Sequence, residues 1–197
     1  MNRQVEKLEE LKKIALENKV PIIMDDTLEV LTEILQTHKP KKILEIGTAT
    51  GYSAICFSTV LNNNCIIDTL ERDEQRAEEA KNNIKDLGLE SNINVIVGDA
   101  VEMLPGIDKC YDFVFIDASK GKYPIFLEHA IRLTNKGSVI VADNVLYKGY
   151  VLSDYNKHKQ RTAVTNLRKF IAEITSNENL ETEILEVGDG LAVIKVN

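Results

Sequence analysis

Apolar residues recur at helical spacing over residues 5–17, where Val5, Leu8, Leu11, Ile14 and Ala15 fall on one side. A second helix is predicted over residues 25–36, with Asp25 or Asp26 as its cap. The pattern then alternates. Lys42–Ile46 reads as a strand, followed by a Gly/Thr turn and an apolar helix over 52–61. Residues 65–70 form a strand, and 73–87 a charged helix stopped by Gly88. Ile93–Val97 is a strand, with a short helix at 101–104. Residues 113–116 are an unbroken apolar strand, and 123–133 a helix that ends at Asn135-Lys136-Gly137. Another apolar strand covers 138–142, a polar stretch 144–157, and a helix 161–174. The tail, 181–186 and Leu191–Val196, surrounds Gly188-Asp189-Gly190 and reads as a β-hairpin.

Strands alternating with helices predict an α/β fold whose parallel sheet is covered on both faces. Phe113-Val114-Phe115-Ile116 suits a central strand buried on both sides. The closing hairpin adds an antiparallel pair, for seven strands in a mostly parallel sheet. No repeat or Pro/Ser-rich linker interrupts the chain, so 1–197 is read as one domain: a helical extension (1–38) and a core (39–197).

Composition narrows the class. The formal net charge is −7, which argues against a general nucleic-acid coat protein. No apolar run is long enough for a bilayer. The charged N-terminus does not read as a secretory signal, and Cys56, Cys65 and Cys110 have no metal-type spacing. Buried, reduced thiols in a cytoplasmic protein are expected.

In open α/β sheets, ligands bind beyond the carboxyl ends of the strands. Each of the first five predicted strands ends near an acidic residue: Glu45, Glu71, Asp99, Asp117 and Asp143. The first loop, Glu45-Ile-Gly47-Thr-Ala49-Thr-Gly51-Tyr-Ser53, has glycines that permit a tight turn close to a ligand. Its spacing is not the G-x-G-x-x-G of a pyrophosphate cradle, and Glu45 would repel a diphosphate. A cationic ligand group suits it. Glu71 stands where an acid accepts both ribose hydroxyls, and Asp99-Ala100 can close over an adenine. The set matches a nucleoside joined to an amino acid. An ordinary αβ loop capped by Thr50 or Ser53 is the structural alternative.

Asp117, Asp143 and Asn144 offer two carboxylates and an amide oxygen, a hard partial shell of the kind magnesium takes. No His or Cys cluster points to zinc. An Asp-Asn turn cap plus an unrelated Asp would explain the same residues. Lys120, three residues past Asp117, faces the same cleft if a helix begins there. Cationic neighbours disfavour an ammonium, so Lys120 could then accept a hydroxyl proton. A solvated lysine at a helix start is the alternative.

Taken together, LEIGTATGYSAI (44–55), LERDE (70–74), GDA (98–100), FIDASKGKY (115–123), VADNVLYKG (141–149) and VGDGLAVIK (187–195) resemble the cation-dependent O-methyltransferases related to catechol and caffeoyl-CoA methyltransferases. The resemblance implies a Rossmann-like class I methyltransferase fold, S-adenosylmethionine as donor, and Mg2+. It implies a donor site of Ile23, Glu45, Gly47, Ala49, Ser53, Glu71, Asp99, Ala100 and Asp117. It makes Asp117, Asp143 and Asn144 the metal ligands and Lys120 the catalytic base beside Asp117. Where animal catechol enzymes carry a glutamate and a tryptophan, this chain has Ala192 and Ser119, so their catechol pocket is not reproduced. Relatives are often homodimers.

Val20-Pro21-Ile22, 144–149, Asp154-Tyr155-Asn156-Lys157 and 187–192 resemble a bacterial branch that methylates 5-hydroxyuridine at the tRNA wobble position. The hydroxyl and adjacent carbonyl of that base can chelate one cation, as the paired oxygens of a catechol do. Charge is uneven in the required sense. Residues 148–169 carry Lys148, Lys157, Lys159, Arg161, Arg168 and Lys169 against Asp154 alone, and Lys122 adds to them. A phosphate backbone needs such a patch, and Tyr147, Tyr150 and Tyr155 can stack on bases of a loop. A solvated helix face with locally packed tyrosines is the plain alternative. Competing functions are a small-molecule phenol O-methyltransferase, a nucleotide-binding Rossmann oxidoreductase and a non-catalytic module that kept the fold.

Overall fold

The computed structural model describes residues 3–18, 20–154 and 160–197. Tyr155, Lys157 and Lys159 lie outside the described residues, as does the side chain of Val5. The chain divides into two compact units, Met1–Ala100 and Val101–Asn197.

The first unit runs α1 (Arg3–Glu17), α2 (Asp25–His38), β1 (Lys42–Ile46), α3 (Tyr52–Val60), β2 (Ile66–Glu71), α4 (Glu74–Asp86) and β3 (Ile93–Val97). The three strands pair in parallel, with Ile43 opposite Ile67 and Ile67 opposite Ile93. Beyond their first residues strands β1 and β2 are buried throughout, and this includes the polar Glu45, Asp68, Thr69 and Glu71. Helix α3 is buried from Tyr52 to Ser58, so its sequence shows no polar stripe. Asp73 caps α4, its carboxylate accepting from Gln75 N and Arg76 N, both at 3.0 Å.

The second unit runs α5 (Ala100–Met103), a 3-10 turn, β4 (Tyr111–Ile116), a 3-10 turn at Lys120–Lys122, α6 (Tyr123–Arg132), β5 (Thr134–Ala142), α7 (Arg161–Ser176), β6 (Leu180–Leu185) and β7 (Leu191–Val196). Strands β4 and β5 are parallel, whereas β7 lies antiparallel to both β5 and β6. Phe113, Val114, Phe115 and Ile116 are fully buried. The strands lie in the order β3-β2-β1 in the first unit and β4-β5-β7-β6 in the second. The expected class, mostly parallel with a C-terminal antiparallel pair, is the one observed.

Several boundaries differ from the sequence pattern. Neither Asp25 nor Asp26 caps α2; both lie in its first turn, and the cap position is Met24. Strand β5 begins at Thr134, because Thr134 already pairs with Tyr111 before the register shifts to Phe113 and Val139. Asn135-Lys136-Gly137 is therefore an exposed irregularity within the strand, held where Ser138 Oγ donates to Tyr111 O at 3.1 Å. Cys110 is exposed rather than buried, while Cys56 and Cys65 are buried as expected. No helix among the described residues is long and apolar enough to cross a membrane.

Candidate active site

In the first unit, the chain leaving β1 must turn sharply into α3. It does so through Gly47 (φ 109°), Ala49 (φ 47°) and Gly51 (φ 83°). Gly51 also sits close to α4: a Cβ there would meet Ala80 Cβ at 3.3 Å. The left-handed conformation at Ala49 is unusual for a residue with a side chain, and it has a visible cause. Glu71 Oε2 accepts from Ala49 N at 2.8 Å, and Glu71 Oε1 from Asp73 N at 3.0 Å. Gly47 N and Thr48 N donate to Leu70 O at 3.0 and 3.2 Å. The end of β2 thus holds the turn from beneath.

Glu45 is fully buried, and its carboxylate accepts from the hydroxyls of Ser53 and Thr69. Thr48 Oγ1 and Thr69 Oγ1 lie 2.6 Å apart. Glu45, expected to suit a ligand cation, is thus bonded to two neighbouring hydroxyls. Ile23 and Ser53 are buried, Ala100 is half-buried and Asp99 is exposed. Ser53 spends its hydroxyl on Glu45, and the N-cap of α3 is Gly51, so neither Thr50 nor Ser53 acts as that cap.

In the second unit, Asp117 follows β4 directly and Asp143 follows β5 directly, because the two strands end in register at Ile116 and Ala142. Asp143 N donates to Ile116 O at 3.0 Å. Asp143 is buried, and its carboxyl is pushed up to about 7 by burial first and by the Asp117 charge second. Asn144 N donates to the Asp143 carboxylate at 2.6 Å, and Asn144 adopts φ 55°. Lys120 Nζ donates to Asp117 Oδ1 at 2.8 Å, from the 3-10 turn that replaces the expected helix start. Among the described residues, no group of three or more His, Cys, Asp and Glu is placed to hold a metal ion. The expected donor set is of another kind: two carboxylates, the buried one raised in part by the charge of the other, and an adjacent amide. An all-oxygen set with excess negative charge fits a hard divalent cation.

The segment after Asn144 is held on two sides. Val145 N donates to Gly190 O at 2.9 Å, Leu146 N to Asp189 O at 3.0 Å, and Lys148 N to the Asp189 carboxylate. Arg168 of α7 donates to Val151 O at 3.0 Å, to Tyr150 O at 3.2 Å, and to Ser153 O. Arg168 therefore serves the loop's carbonyls, although the sequence counted it among surface cations. Tyr147 and Tyr150 pack edge to face, with centroids 5.9 Å apart. Lys122, Lys148 and Arg161 are exposed.

Three structural contributors escaped sequence reasoning. Thr69 lies beside Asp68 in a strand of mixed polarity, where nothing singled it out. Asn83 donates to Thr50 O at 2.9 Å from a charged helix where nothing marked it. Tyr123 closes one of the quoted motifs but carried no assigned role.

A family model described as O-methyltransferase matches residues 2–196. The chain is 35% identical to a catechol O-methyltransferase of Niastella koreensis, covering 85% of this chain and 78% of that one. It is 30% identical to a caffeoyl-CoA O-methyltransferase of Stellaria longipes, covering 96% and 83%. A crystal structure of a Bacillus cereus O-methyltransferase in complex with SAH superposes with a TM-score of 0.87 at 30% identity, covering 98% and 91%. The fold is that of the Rossmann-like class I methyltransferases. This chain belongs to the O-methyltransferase family.

Proposed function

We propose that this chain moves a methyl group from S-adenosylmethionine to a hydroxyl oxygen with a second oxygen on the neighbouring carbon, and that the natural acceptor is 5-hydroxyuridine in the tRNA wobble position. The observation that carries the cation dependence is that Asp117 and Asp143 follow two strands that end in register, with Asp143 buried and its carboxyl pushed up by burial and by the Asp117 charge.

The donor supplies an electrophilic methyl on a sulfonium centre. Glu71 accepts from its ribose hydroxyls while keeping Ala49 N and Asp73 N in place. Asp99 and Ala100 receive the adenine, Ile23 covers it, and the backbone of Gly47, Ala49 and Gly51 lets it approach. Ser53, held by Glu45, meets the amino acid end.

Asp117, Asp143 and Asn144 would hold Mg2+, whose chemistry there is to lower a hydroxyl's pKa and fix its direction. Asp117 also orients Lys120 Nζ, which takes the hydroxyl proton as general base once it has released its own proton to solvent. Alignment of the acceptor oxygen with the methyl supplies much of the acceleration.

The tRNA acceptor is supported by the sequence resemblance of 144–149 and 187–192 and by the exposed cations Lys122, Lys148 and Arg161. Lys157 and Lys159 extend the same reading. A second reading, a small phenolic acceptor, is favoured by the names of the relatives and by the packing of Tyr147 on Tyr150, which occupies one face of each ring. We read the chain as one methyltransferase domain acting as a homodimer in the cytoplasm; exposed Leu16 and Met24 are compatible with burial in such a dimer.

Two experiments test this. Asp117→Ala should abolish turnover and Mg2+ binding and weaken S-adenosylhomocysteine binding far less; full activity in excess EDTA contradicts the cation. Mass spectrometry of tRNA nucleosides from cells lacking the gene should reveal accumulated 5-hydroxyuridine. An unchanged nucleoside profile, with turnover of catechols insensitive to charge reversal at Lys148 and Arg161, favours the small acceptor.

A further inference from the structure

Tyr123 is the first residue of α6 and has no exposed surface. Its hydroxyl donates to Asp143 O at 2.7 Å and lies 3.3 Å from Ile116 O. Ile116 is the residue before Asp117, and its carbonyl already accepts from Asp143 N at 3.0 Å. One hydroxyl thus stands at the junction of both strand ends that carry acidic residues. The ring is fixed as well. Phe170 packs edge-on at 5.5 Å between centroids, and Phe126 lies at 6.4 Å. Lys120 Nζ stands 5.7 Å from the same ring's centroid.

This junction needs an explanation beyond core filling. A phenylalanine would pack the same volume against Phe170 and Phe126 without introducing a buried hydroxyl. A buried hydroxyl is tolerated where it has a partner, and here the partner is the main chain of Asp143. Ile116 ends β4 and its carbonyl accepts a bond from Asp143 N, while Asp143 O lies just beyond the end of β5. A hydroxyl aimed at both limits how far β4 and β5 can splay at their tips.

We propose that Tyr123 is a positioning residue for the cation site. Its O–H sets the separation of Asp117 and Asp143, and its ring sets the direction of Lys120. The proposal rests on the cation reading above.

The test is Tyr123→Phe, which removes one oxygen and keeps the ring. Isothermal titration with Mg2+ alone should show affinity weakened about tenfold, the loss expected for one hydrogen bond. S-adenosylhomocysteine affinity should stay within twofold of wild type. Leu31→Ala, at a fully buried position of α2, is the control for general loosening: it should lower the melting temperature and leave Mg2+ affinity within twofold. Tyr123→Phe with unchanged Mg2+ affinity overturns the proposal, and so does Leu31→Ala with an equal loss. A measurement on the unaltered chain covers a variant that does not fold. With 13C-labelled tyrosine, saturating Mg2+ should shift the Tyr123 Cζ resonance, and an unmoved resonance overturns the proposal. The underlying reading fails separately, if the wild-type chain binds no Mg2+ or if Asp117→Ala binds it as well as wild type.

Discussion

Asp189, in the turn of the closing hairpin, accepts a hydrogen bond from the backbone N–H of Lys148, in the segment that follows Asn144. Its neighbour Gly190 adopts φ 89° and accepts from Val145 N at 2.9 Å. The hairpin therefore braces the loop in which Asn144, Tyr147 and Lys148 all adopt left-handed conformations. Such conformations persist only where surrounding contacts over-determine them.

Gly190→Ala tests that brace. A Cβ there would lie 2.8 Å from Leu146 Cβ and 2.9 Å from Leu146 N, so the loop backbone must shift. The variant should lose about 1–3 kcal/mol of stability, as overpacked sites do, and turnover should fall with it. Urea unfolding and steady-state kinetics check both.

Asp143 sets a pH dependence. Its carboxyl is raised from 3.8 to about 7. The folded chain thus holds this proton more tightly than the unfolded one. Its contribution to stability is fully present below about pH 4 and lost as pH rises through 7. Without a divalent cation, stability should decline over that window, and Asp143→Asn should flatten the decline. Mg2+ binding at pH 6 should release protons, visible as a buffer-dependent titration enthalpy, and the release should vanish in Asp143→Asn.

Thr69→Val removes a hydroxyl that donates to buried Glu45 and lies beside Thr48 Oγ1. Removing one hydrogen-bond partner of a buried carboxylate costs about 1–3 kcal/mol. The melting temperature should drop, and S-adenosylhomocysteine affinity should weaken more than Mg2+ affinity. Paired titrations of the two ligands decide it; equal losses would argue against a local effect on the glycine turn.

Lys120→Ala removes the partner of Asp117 and the proposed base. We expect kcat to fall by a factor of about 10²–10⁴, typical of general-base loss, with donor affinity little changed. The pH–rate profile should change shape. A profile identical to wild type would assign Lys120 to orienting Asp117 alone.

Much of this molecule was legible before any coordinates. Phe113 to Ile116 and Val139 to Ala142 read as doubly covered strands because no polar residue interrupts them, and they are buried as read. Gly47 and Gly51 marked a turn because few other residues tolerate positive φ. The acids at the strand ends were visible because strands end where apolar runs end. Thr134 was hidden for the converse reason: three exposed residues separate it from the apolar run, and only its pairing with Tyr111 makes it strand. Arg168 looked like a surface charge until three carbonyls, distant in sequence, surrounded its guanidinium.

The sequence alone determined the alternation of elements, the parallel class and the identities of the candidate groups, since periodicity and residue chemistry are local properties. Tertiary structure decided which groups act on each other. Glu45 became a buried brace, Tyr123 a joint and Asp189 a clasp, because burial and hydrogen-bond partners depend on segments that meet only after folding.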